Sequence, residues 1–170
     1  MIKYKFFLIV FLFLLTHSYG QIEFRDNTRK TLSVIEHTMK DLLLDSSYLV
    51  YSSKYKLFLF VKLKDSYIEF EYANQNNEWI LSKISQNNHY MMKELFDIKN
   101  YIEGYIDFDS TFFYEKEISI TDPPTYFKIN FEGNDYAEYV LAIILKPVPM
   151  NKDVYRYISF KLLNIDFDSW

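Results

Sequence analysis

Cysteine is absent from all 170 residues, so the chain can carry neither a disulfide framework nor a thiolate metal site. Glycine is nearly as scarce: beyond residue 20 only Gly104 and Gly133 remain. That poverty excludes glycine-rich phosphate loops, dinucleotide fingerprints and the G-x-S-x-G elbow of α/β hydrolases. A positive balance is lacking as well. The net charge of −4 opposes a nucleic-acid partner, whose phosphates demand a basic face. None of the eleven asparagines begins an N-x-Ser/Thr glycosylation acceptor. No apolar run approaches the roughly 20 residues that cross a bilayer as a helix.

The longest such run is nevertheless informative. Lys3 and Lys5 precede ten consecutive apolar residues, Phe6 to Leu15, and small residues follow at Ser18 and Gly20. A charged, an apolar and a small-residue stretch in that order predict a secretory signal peptide over residues 1–20, cleaved before Gln21. The run is half the length of an uncleaved anchor. Loss of the two lysines takes the net charge from −4 to −6. Cysteine-free and without acceptor sites, the product is expected to be a periplasmic or extracellular protein of bacterial type. No stable membrane insertion is expected after cleavage. Residues 21–170 are the size of one domain with one core.

Within that domain Leu32, Ile35, Met39, Leu42 and Leu43 recur at helical spacing, predicting a helix over about residues 26–44. His37 falls opposite this stripe. The period then changes to two. Leu57, Leu59, Val61 and Leu63 alternate, then Ile68, Phe70 and Tyr72, and residues 78–84 follow with Trp79 and Leu81. Polar breaks at 64–66 and 74–77 read as hairpin loops. Met91, Leu95 and Ile98 predict a short second helix within 89–100. Further strands are expected at 102–109, 111–120, 125–132, 136–146 and 154–166. In the last, the apolar set shifts from Ile158, Phe160 and Leu162 to Leu163, Ile165 and Phe167, which as a strand implies a β-bulge. The expected fold is α+β: an N-terminal helix packed on a curved, mostly antiparallel sheet of about eight strands, a number that also permits closure into a small barrel. A membrane barrel is disfavoured by the helical stripe and by Asn164, Asp166 and Asp168 near the C-terminus, where a last lipid-facing strand needs apolar residues.

The chemistry-bearing residues are few. Ile-Asp-Phe-Asp-Ser occurs at 106–110 and again at 165–169. The stretch Asp107-Phe108-Asp109-Ser110-Thr111 resembles the nucleophile motif of haloacid-dehalogenase-like phosphatases, which implies aspartyl attack on phosphorus assisted by Mg²⁺. The resemblance covers five residues; that family's sheet is parallel, whereas the hairpin breaks here imply an antiparallel one. Neither acidic pair has the glycine that turns a calcium loop, so the acids read as solubilising charges on strands, and no metal or cofactor is expected. Beyond residue 20 the only histidines are His37 and His89, and neither has a second ligand at metal spacing.

Tyrosine is abundant, and its placement is distinctive. Tyr67, Tyr105, Tyr126 and Tyr157 each alternate with polar residues, as an aromatic sheet face for ligand binding would. The sequence thus points to a non-catalytic binding module for a small apolar ligand, a glycan or a protein partner. A hydrolase assembled in space around His37 or His89 is the alternative from chemistry. A structural or inhibitory protein acting by edge-strand addition is the alternative from architecture.

Overall fold

A computed structural model describes residues 23–24, 26–101, 125–141 and 150–164. Helix α1 covers residues 26–38 and breaks at Met39, whose φ of −105° and ψ of 20° leave the helical region before α2, Lys40–Leu43. A meander follows: β1 (Ser47–Ser52), β2 (Lys56–Lys62), β3 (Tyr67–Gln75) and β4 (Glu78–Gln86). Helix α3 (Met91–Leu95) and a 3₁₀ turn (Ile98–Asn100) come next, then β5 (Thr125–Phe131), β6 (Asn134–Leu141) and α4 (Lys152–Leu163).

The six strands form one open antiparallel sheet in the order β4-β3-β2-β1-β5-β6. Two of its hairpins turn on residue pairs with positive φ, Asn76-Asn77 and Glu132-Gly133, the backbone of a two-residue type I′ loop. Asparagine tolerates that region, and Gly133 is required for a second reason. A Cβ there would lie 2.9 Å from the Leu44 carbonyl oxygen.

Helices cover both faces of the sheet. On one, Leu32, Ile35 and Leu43 meet Val50, Leu57, Leu59 and Val61. On the other, Met92, Leu95, Val154 and Ile158 meet Leu49, Phe58, Phe60 and Phe127. Strands β1 and β2 are therefore buried on both sides, which is why SYLVYS and LFLFV read as continuous apolar stretches. Each face contributes one apolar core, and the fold is α+β in three layers. Among the described residues no helix is long and apolar enough to cross a membrane.

The sheet has six strands among the described residues rather than about eight, and it is open rather than closed into a barrel. The strands expected at 102–109 and 111–120 lie outside the described residues. The packing of the N-terminal helix also departs from expectation: the break at Met39 lets Leu43 reach the interior, while Met39 and Leu42 stay half-buried at its margin. The largest correction concerns 154–166, where α4 replaces the expected strand. Val154, Tyr157, Ile158 and Leu162 face the core at helical spacing. The alternation of Ile158, Phe160 and Leu162 that suggested a strand falls within this helix, and Ile165 and Phe167, which completed the expected bulge, lie outside the described residues. Asn151 caps the helix by accepting from the Asp153 N–H, and Asn164 ends it in the left-handed region.

Candidate functional site

A polar groove of about 590 Å³ opens where α4 leaves β3 and β4 uncovered. Strand pairing places its floor. Glu69 stands opposite Ser85, and Glu71 opposite Lys83, all four on the face that carries α4. Tyr157 and Lys161, one helical turn apart on α4, form one wall. The segment Asn87-Asn88-His89, leaving β4 towards α3, closes an end.

At the back of the groove a hydrogen-bonded network ties three elements together. Glu69 is only 5% exposed. Lys161 Nζ donates to both of its carboxylate oxygens, at 2.8 and 2.6 Å, and Asn87 Nδ2 donates to Oε2 at 2.6 Å. Asn87 Nδ2 also lies 3.2 Å from the Tyr157 hydroxyl. The Lys161 ammonium stands about 6.0 Å from the ring centres of Phe58, Phe60 and Tyr157, so aromatic faces share its charge. A buried carboxylate alone would be strongly disfavoured; here it is paired and hydrogen-bonded. Towards the far end of α4, Lys56 pairs with Glu71 at 3.1 Å and donates to Asn164 Oδ1 at 2.7 Å.

His89 sits between two rings, 4.5 Å from Tyr90 and 4.9 Å from Tyr157 between centroids. Its Nδ1 accepts from the Met91 backbone N–H at 3.2 Å, and its own backbone N–H donates to Asn87 Oδ1 at 3.0 Å. An accepting Nδ1 assigns the proton of the neutral ring to Nε2. In that tautomer Nε2 is a donor, whereas a general base for a serine must present an accepting nitrogen. His89, Glu69 and Ser85 thus share one groove without the tautomer or the free carboxylate of a hydrolytic triad. Among the described residues no three His, Cys, Asp or Glu side chains come together as a metal site.

Of the four tyrosines expected to bind ligand, Tyr157 lines the groove. Tyr67 lies on the same face of the sheet, half-buried and stacked on Phe96 at 5.5 Å. Tyr126 belongs to the opposite face, buried against the α1 layer, with its hydroxyl donating to Glu138 Oε1 at 2.8 Å. Tyr105 lies outside the described residues, as do Asp107, Asp109, Asp166 and Asp168. His37 is exposed on α1. Sequence reasoning did not single out Glu69, Lys83, Asn87 or Lys161. The signal was faint: Tyr157 and Lys161 are four apart, which joins them only if that segment is helical.

On the far face, among the described residues, two ion pairs fasten α1 to the sheet. Arg29 makes a bidentate pair with Glu138 of β6, and Lys128 of β5 pairs with Glu36 at 3.0 Å. Burial opposes ionisation of Glu138, but the Arg29 guanidinium, the Tyr126 hydroxyl and the Lys128 charge outweigh it and hold the carboxyl below its ordinary range.

The chain matches no family model, no curated protein and no solved structure. The groove's own chemistry therefore carries the functional argument.

Proposed function

We propose that this is an exported, non-catalytic binding module whose groove takes a carbohydrate. The observation that carries the reading is the composition of the lining. Ser85, Gln86 and Asn88 project hydroxyl and amide groups that both donate and accept, as sugar hydroxyls do. Beside them the partly exposed His89 gives the lining an aromatic edge, held in place by the buried Tyr157 ring. A small apolar ligand would strip water from these polar groups without replacing it, which disfavours that occupant. The tautomer of His89 and the commitment of Glu69 to Lys161 and Asn87 support binding over hydrolysis.

The test is a glycan array probed with the mature chain, followed by titration of each hit against ¹⁵N-labelled protein. Saturable binding with amide shifts concentrated over residues 83–89 is the expected outcome. Asn88→Ala should weaken it about five- to tenfold through the lost hydrogen bonds. An array without hits, or shifts confined to the α1 face, would overturn the reading.

A further inference from the structure

We infer that the groove selects an acidic saccharide, one bearing a uronate- or sialate-type carboxylate, through Lys83; the inference rests on the carbohydrate reading above. The argument is a local charge balance. Two lysines, Lys83 and Lys161, line the groove with two glutamates, Glu69 and Glu71, and a third lysine, Lys56, reaches Glu71 from outside the lining. Lys161 is held by Glu69 at 2.6 Å and Lys56 by Glu71 at 3.1 Å. Both glutamates are therefore neutralised by cations other than Lys83. Lys83 stands opposite Glu71 in the β3–β4 register and is exposed, and no carboxylate among the described residues lies within ion-pair distance of it. Among the described residues one positive charge is left over on the floor of the groove.

That surplus runs against the whole chain, whose net charge is −4. A neutral sugar could accept a hydrogen bond from the ammonium but would bring no opposite charge to it. A carboxylate within reach of the ammonium would gain a charge-assisted hydrogen bond, roughly twice as strong as a neutral one. The neighbouring groups agree in sign. Ser85 Oγ and the side-chain amides of Gln86 and Asn88 carry donors beside Lys83, so an anion would meet hydrogen-bond donors as well as the charge. Among the described residues the carboxylates in the lining are those of Glu69 and Glu71, and both are turned to their own lysines.

The experiment compares trigalacturonate and sialyllactose with their methyl esters, which keep the sugar and remove the charge. Titrated into the mature chain by calorimetry, at least one acid should bind about tenfold more tightly than its ester, the worth of one charge-assisted contact. The preference should fall with salt, since an exposed pair is screened. Lys83→Gln should bring acid and ester to equal affinity, and Lys83→Arg should retain the preference. Acid and ester binding equally in the unaltered chain would overturn the inference and leave the carbohydrate reading standing. So would a neutral glycan binding where neither acid does. Failure of every glycan on the array would remove both.

Discussion

At the scale of single residues, the contact that most constrains the molecule is Glu69 with Lys161. The carboxylate is almost wholly enclosed, while the ammonium keeps 28% of its side chain exposed. The two partners are therefore unequal when removed. Lys161→Met strands a buried anion on Asn87 alone and should cost about 3 kcal/mol, the lower end of what a broken buried pair costs. Glu69→Gln keeps shape and hydrogen bonding, leaves a lysine that water can reach, and should cost about 1 kcal/mol. The double variant should recover part of the loss, since no buried charge is left unpaired. Urea unfolding of the three variants measures all of this. A harmless Lys161→Met would mean that the network does not hold α4 to β3.

At the scale of elements, the α1 stripe gives the clearest contrast. Ile35 is 7% exposed in the core beneath α1, whereas His37 is exposed two residues on. Ile35→Ala should cost about 2–5 kcal/mol, as truncation of a buried aliphatic does. His37→Ala should cost under about 0.5 kcal/mol. Equal costs in thermal or urea melts would remove α1 from the sheet face. This element was legible in the sequence because one face is apolar and the other is not, and β3 and β4 were legible because their hairpin break is polar. Helix α4 was not, for a physical reason. Its residues Tyr155, Tyr157, Ile158 and Phe160 are strand formers by side chain, and a twelve-residue helix supplies few turns by which to set the period. The caps held the better signal. Asn151 before Asp153 and the left-handed Asn164 mark the two ends of a helix, and Lys161 in the last turn suits its dipole. The candidate groove was hidden for the same reason, because half of its wall stands on α4.

At the scale of the whole molecule, the sheet separates two cores that are secured differently. The α4 face is closed mainly by aromatic and methionine packing, with the Lys161–Glu69 ion pair tying α4 to β3 at its edge. The α1 face depends in addition on two carboxylates reaching between layers: Glu138 of β6 to Arg29, and Glu36 of α1 to Lys128, with Tyr48 and Tyr126 donating to the same acids. A pH dependence follows from the sign of the Glu138 shift. Its carboxyl in the folded chain titrates below the ordinary value of 4.5, so the unfolded chain takes up the proton first. The stabilisation from Glu138 is accordingly complete above about pH 4.5 and is lost as pH falls through the lower, folded value. Glu138→Gln removes the titrating group and keeps the shape. The difference in unfolding free energy between the unaltered chain and this variant should be constant from pH 7 to about 5 and close progressively below pH 4.5. Amide exchange should locate the loss in α1 before α4, since the broken pair holds the α1 layer alone. A difference that stays constant down to pH 3, in urea titrations run side by side, would show that Glu138 is not held ionised by Arg29.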